Sequence, residues 1–303
     1  MAVVVLGSIN LDLIARVKKV PKAGETGLAD SMSTSPGGKG ANQALAAQRM
    51  GAQTALLGMV GEDAFAMQAL KFLRQDGVDL SRIGVSPDRP TGLAMIVVEE
   101  SGQNAITVVP GANAAVGEAV LTDLKALLSA QDMLVLQLEI PLEVVEQAIY
   151  IAHKAKARVL LDPAPAIERL PKAFYRVDIL VPNQFEAQTI LGVSIDDVRS
   201  AKAAARQLRA RGAEVAIVKL GELGVVWATG RGLFYLPGEI VAAVDAVGAG
   251  DAFAGALAAR LDQKDALADA IVWANRAAAL STTKRGAQPS FPDWSQVQTM
   301  NQL

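Results

Sequence analysis

Short apolar runs without polar interruption recur along this chain, separated by longer alanine- and leucine-rich stretches. The runs are Val3–Ser8, Ala55–Val60, Met133–Glu139, Arg158–Asp162, Asp178–Pro182 and Glu214–Leu220. Continuous rather than alternating apolarity suits strands covered on both faces, as in parallel sheets. Asn42–Met50, Ala64–Gln75, Leu142–Lys156 and Ala201–Arg211 carry helical periodicity, and Gly51, Gly77 and Gly212 follow such stretches as C-caps do. Strand–helix alternation of this kind predicts an α/β fold: a doubly wound, mostly parallel sheet flanked by helices. With 303 residues the chain can bury a full core, and residues 1–303 are expected to form one α/β domain.

Two regions break the rhythm. Leu11–Val20, with Gly24–Ser35, mixes polar and apolar residues, while Thr91–Val98 and Asn104–Pro110 read as a hairpin turning at Glu100–Gly102. Alternating segments fit poorly in the middle of a parallel sheet. The expectation is a small β-sheet lid made of excursions at about residues 11–35 and 91–110, able to close over a ligand; an ordinary edge hairpin is the alternative.

Composition removes several classes of function. There is no cysteine, which excludes disulfides, thiolate metal sites and cysteine nucleophiles. A single histidine, His153, on a polar helical stretch, excludes histidine-clustered metal sites and Ser-His triads. The 29 basic and 31 acidic residues are dispersed, so no basic stripe for nucleic acid is expected. No stretch of 18 apolar residues escapes a charge, so no membrane span is expected either, and the opening apolar run reads as a buried strand. Together these point to a cytoplasmic protein with small-molecule partners.

Five loops carry candidate chemistry. Ser35–Ala44 (SPGGKGANQA) runs into a helix with Gly37, Gly38 and Gly40 stripped of Cβ atoms, Lys39 as a cation and Asn42 on the first turn. It fails as a nucleotide P-loop because Gly40 follows the lysine where Ser or Thr should stand; ligand loop and tight turn both remain open. Asp245–Asp251 (DAVGAGD) places Gly248, Ala249 and Gly250 at a loop-to-helix junction, where free N–H groups and the helix dipole favour an anion. Asp251 there is either a first-turn acid or a base for a hydroxyl attacking phosphorus. Asn183 and Glu186 in PNQFEAQ share one face of a helix start beyond a strand's carboxyl end, where open α/β sheets place ligands. Glu186 is read as a water-mediated Mg2+ ligand or as a dipole acid. Lys219–Gly224 (KLGELG) and Ser281–Ser290 (STTKRGAQPS) complete the set.

In order and spacing, GSINLD near the start, GGKGANQA, QLE, PNQFEA, KLGELG, DAVGAGD and KRGAQPS resemble the PfkB-type carbohydrate kinases over essentially the whole chain, nearest the branch that phosphorylates ribose. The resemblance implies ATP-dependent phosphorylation of the primary hydroxyl of a pentose, D-ribose first, with deoxyribose, another furanose-like sugar or a nucleoside as alternatives. A non-catalytic sugar- or nucleotide-binding regulator is the reading from a different class. By the same resemblance Asn10, Asp12, Gly38, Lys39, Asn42 and Glu139 bind the sugar, and Asp251 is the base. Gly248, Ala249 and Gly250 form the anion hole, and Asn183, Lys219, Gly221, Gly224, Gly250 and Asn275 line the nucleotide. Glu186 helps to order Mg2+, while Asp245, Val247, Ser281, Lys284, Gly286 and Ser290 surround a monovalent cation, K+. The lid is also implied to form a homodimer interface. The chain departs from the family pattern at Ala246, where threonine is usual.

Overall fold

The computed structural model describes residues 2–101 and 103–300. Its strands are β1 (Val3–Leu6), β2 (Asn10–Val17), β3 (Ala29–Gly37), β4 (Thr54–Gly61), β5 (Ile83–Ser86), β6 (Gly92–Glu99), β7 (Asn104–Val109), β8 (Met133–Leu136), β9 (Arg158–Leu161), β10 (Ile179–Leu180), β11 (Val215–Lys219), β12 (Val225–Thr229) and β13 (Gly232–Leu236). The helices are α1 (Lys39–Arg49), α2 (Ala64–Ala69), α3 (Lys71–Gln75), α4 (Glu118–Leu127), α5 (Leu142–Ala155), α6 (Gln184–Leu191), α7 (Val198–Ala210), α8 (Ala249–Asp262), α9 (Leu267–Ser281) and α10 (Trp294–Thr299).

The main sheet runs β13-β12-β11-β10-β9-β8-β1-β4-β5, parallel from β11 to β5. Alternate residues of β1 serve opposite faces. Val3 and Val5 join a core with α1, α8 and α9, whereas Val4 and Leu6 join one with α4, α5 and α7. Burial on both sides is why these strands lack alternation. The chain order reverses between β1 and β8, so the carboxyl ends of these strands flank the switch-point crevice where such sheets bind ligands.

The expected accessory sheet is present as β3-β2-β6-β7, separate from the main layer. Asn10, Asp12 and Ile14 alternate onto one of its faces, and Ile14 is in register with Ile96 of β6, itself paired with Ile106 of β7. Glu99 N–H bonds the carbonyl of Gln103 and closes the hairpin; Gly102 of the expected turn lies outside the described residues.

Two elements depart from expectation. The helix expected over Ala64–Gln75 breaks at Leu70, and the break tucks both Leu70 and Leu73 into the core. The antiparallel pair β12–β13 at the sheet edge was not anticipated, although Gly230 and Arg231 form a two-residue connection between apolar runs, a hairpin signal. Trp227 stacks on Phe234 across this pair at 5.3 Å, a packing role. His153 is exposed. No helix among the described residues is long and apolar enough to cross a membrane.

Candidate active site

The switch-point crevice gathers polar side chains from distant parts of the sequence. At its centre lies Asp251, on the first turn of α8 and only 6% exposed. Its Oδ2 accepts from Asn42 Nδ2 at 2.9 Å and its Oδ1 from Gln43 Nε2 at 3.0 Å. Both donors sit on α1, which packs against α8 so closely that a Cβ on Gly255 would lie 2.5 Å from the carbonyl of Gln43. Burial pushes the Asp251 carboxyl up, and the ammonium of Lys39 opposes this. A carboxyl raised in this way is a better proton acceptor than a free aspartate.

The α8 N-terminus lies beside it. Gly248 at the N-cap adopts φ 80°, a left-handed conformation suited to glycine. Ala249 N–H, expected to face an anion, instead closes a turn onto the carbonyl of Ala246 at 3.2 Å. The expected three-amide hole is therefore revised. Among the described residues no acceptor meets the N–H groups of Gly248, Gly250 or Asp251, and those three are the unpaired donors. A Cβ on Gly250 would sit 3.4 Å from Lys219 Nζ, so that ammonium flanks the same helix end. Lys219 is held there by Asp162 at the end of β9, 3.0 Å away.

The residues expected to hold the sugar converge opposite. Gly38 (φ 87°) brings the loop against Ser8 and Asn10, where a Cβ would fall within 2.8 Å of backbone atoms. The Ser8 hydroxyl and Lys39 N–H both donate to Glu139 Oε2, the latter at 3.2 Å, tying the glycine loop to the end of β8. Asn113 Nδ2 donates to Asn10 Oδ1 at 2.7 Å, which leaves Asn10 Nδ2 to donate into the crevice. Burial, reinforced by Glu139 and Asp251, raises Asp12 to about 7. For Lys39, burial favours loss of the proton, but Asp251, Asp162, Glu139 and Glu186 more than reverse this and keep it cationic.

Other expected residues have structural duties. Asn183 and Glu186 form a capping box on α6: Asn183 Oδ1 accepts from Glu186 N–H, and Glu186 accepts from both Asn183 N–H and Nδ2. The Asn183 carboxamide is thus turned to Glu186 rather than outward. Burial, then repulsion by Asp162, raises the Glu186 carboxyl, with Lys219 opposing. Asn275 donates to the carbonyl of Pro237 at 3.2 Å, and Gly224 packs against the 236–238 backbone; both shape the loop beside the crevice. Gly221 is open, with nothing within 4 Å of a Cβ. Asp245 clasps the two remaining loops, accepting from Val247 N–H at 3.0 Å and Gly286 N–H at 2.8 Å. Ser281 and Ser290 turn their hydroxyls onto helix and turn carbonyls, and Lys284 is exposed.

Several site residues escaped the sequence reading: Ser8, Gln43, Asn113, Gln137, Asp162 and Gln288. All are buried. Asp162 carried a usable signal, since it ends a buried strand at the edge where Asn183 and Lys219 were sought.

A glycine loop, a buried carboxylate and a helix N-terminus with three unpaired amides meet at one crevice, an arrangement suited to phosphoryl transfer. The chain belongs to the pfkB family of carbohydrate kinases, whose model matches residues 2–294. Its relatives include ribokinase from Haemophilus influenzae, 37% identical over 95% of this chain and 94% of that protein. Deoxyribokinase from Salmonella typhi is 36% identical over 98% and 97% of the two chains. Arabidopsis thaliana ribokinase, solved with ribose and ATP, superposes with a TM-score of 0.91 at 29% identity, over 100% of this chain and 99% of that one.

Proposed function

We propose that this enzyme transfers the γ-phosphoryl group of ATP to the primary hydroxyl of D-ribose, giving ribose 5-phosphate and ADP. The observation that carries the reading is the meeting of the Asp251 carboxylate with unpaired N–H groups of its own helix end, flanked by Lys219. Asp251 takes the hydroxyl proton as that oxygen bonds to phosphorus, and the bond to the ADP oxygen breaks with its electron pair leaving on ADP. The Gly248, Gly250 and Asp251 amides, with Lys219 and Lys39, receive the charge spread over the transferring group. Asn10 Nδ2 donates to sugar oxygens, while Asp12 and Glu139 accept from sugar hydroxyls.

Mg2+ suits the Glu186 corner, where the carboxylate's charge is disfavoured by burial and by Asp162, and it would be held through water. When bound with ATP, the metal draws charge from the phosphates. K+ suits the loops that Asp245 clasps, with Asp245 as the one charged ligand among carbonyls of residues 247, 281, 284, 286 and 290. The lid closes over the sugar to exclude water, and its Ile14–Ile96–Ile106 row meets a second copy, since Ile106 is 56% exposed. An ATP-consuming sugar kinase without cysteine fits the cytoplasm.

ADP release measured across ribose, deoxyribose, fructose and adenosine, with and without K+, tests the reading. Ribose is expected to lead, with K+ raising the rate. The deoxyribokinase relative favours deoxyribose as the second acceptor, and equal or greater kcat/KM with that sugar would install it as the first. Asp251→Asn is expected to lower kcat by about 10³-fold while ribose binding by calorimetry changes little; near-normal kcat would remove Asp251 from the base role.

A further inference from the structure

The sugar half and the nucleotide half of the crevice are joined by one side chain, Gln43. It is fully buried on α1. Its Nε2 donates to Asp251 Oδ1 and to Asp162 Oδ2, each at 3.0 Å, and its Oε1 accepts from Gln137 Nε2 at 2.7 Å. With both hydrogens and the carbonyl engaged, the carboxamide has a single workable orientation. Asp162 Oδ1 in turn accepts from Lys219 Nζ at 3.0 Å, and Lys219 lies against the α8 N-terminus at Gly250.

We propose that Gln43 is a positioning residue for phosphoryl transfer, a neutral bridge that fixes the proton-accepting carboxylate of Asp251 relative to the phosphate-facing ammonium of Lys219 through Asp162. The proposal rests on Asp251 being the base. The chemistry of the bridge favours a carboxamide. Two carboxylates converge on one donor nitrogen, so a carboxylate at position 43 would add a third repelling charge, and an apolar group would leave both without a shared donor. Asn42 holds Oδ2 of Asp251 while Gln43 holds Oδ1, which fixes the plane of the carboxylate and directs its remaining lone pairs. When Asp251 accepts the hydroxyl proton it becomes neutral, and its repulsion from Asp162 across the bridge is relieved. The new P–O bond, the lost P–O bond to ADP and the proton on Asp251 balance the step.

The test uses two near-isosteric variants, Gln43→Met and Asp162→Asn, beside Asp251→Asn, on the full chain. Steady-state kcat, KM for ribose and for ATP, the pH profile of kcat and the thermal midpoint are measured. Gln43→Met is expected to lower kcat by about 10²-fold, as misplacement of reacting groups does, with ribose binding held within a few-fold. Asp162→Asn is expected to raise KM for ATP, because Lys219 loses its anchor, and to lower kcat. The double variant is expected to be no worse than the poorer single one.

Asp251 also faces Lys39 from α1 and Asp12 from β2, and neither charge is altered in these variants. The acid limb of kcat therefore moves up in Gln43→Met, which loses a donor favouring the carboxylate. It moves down in Asp162→Asn, which loses a neighbouring negative charge. A merely space-filling glutamine would leave the acid limb of Gln43→Met where it lies in the parent enzyme. A folded Gln43→Met enzyme with kcat within twofold of the parent, while Asp251→Asn is inactive, overturns the bridge and leaves the base standing. An active Asp251→Asn overturns the base instead. If Gln43→Met does not fold, an unchanged KM for ATP and an unmoved acid limb in Asp162→Asn overturn the bridge by themselves.

Discussion

Asp12 sits on the lid strand β2, within the field of Glu139 and Asp251, and its carboxyl titrates near neutrality, at about 7 against 3.8 for a free aspartate. Between these values the folded protein holds a proton that the unfolded chain has released. This contribution to stability is therefore present at low pH and fades as pH rises through 7. The thermal midpoint of the sugar-free enzyme is expected to be higher at pH 6 than at pH 8, and Asp12→Asn is expected to shrink that difference. On the proposed function ribose binding follows the opposite course, because the charged carboxylate is the stronger acceptor for sugar hydroxyls. Calorimetric affinity is expected to weaken as pH falls below 7, and a flat profile from pH 8 to 6 would contradict the assignment.

Among elements, the pairing of α1 with α8 is what the site depends on, since Asn42 and Gln43 come from one helix and Asp251 from the other. Gly255 permits their approach: a Cβ there would lie 2.6 Å from Ala46 Cβ and 2.5 Å from the carbonyl of Gln43. Gly255→Ala gains about 1 kcal/mol of helix propensity but overpacks the contact at a cost of roughly 1–3 kcal/mol. Its net effect is expected to be a modest fall in thermal midpoint and a larger fall in kcat, as the donors move off Asp251; unchanged kcat would show that the helices absorb the methyl group elsewhere.

The same contrast explains what the sequence disclosed. Parallel strands, glycine loops and Asp251 were legible because each is written in a few adjacent residues: an unbroken apolar run, a cluster lacking Cβ atoms, an acid at a helix start. Gln43, Asn113 and Asp162 were not, because what defines them is a partner more than 50 residues away. Gln43 reads locally as one more polar residue on an alanine-rich helix, and its bonds to Asp162 and Asp251 span 119 and 208 positions. Asn183 shows the converse limit: the local pattern was seen, but a capping box and a ligand site share it.

On the scale of the whole molecule, the accessory sheet carries Asn10 and Asp12, the residues proposed to hold the sugar, at its root and an apolar row beyond them. On the proposed dimer, Ile106→Glu is expected to halve the mass measured by light scattering and to raise KM for ribose; an unchanged mass would mean that the row meets something else. The crevice is also assembled across nearly the full span of the chain. Gln288 Nε2 donates to Asn42 Oδ1 at 3.1 Å, and Arg49 on α1 holds the carbonyls of Gln288 and Phe291 at 2.7 and 2.9 Å. The stretch around residue 288 thus secures α1 through bonds that span 239 to 246 positions. Removing that stretch would strip support from Asn42, one of the two donors that orient the Asp251 carboxylate, so a segment remote in sequence steadies the crevice.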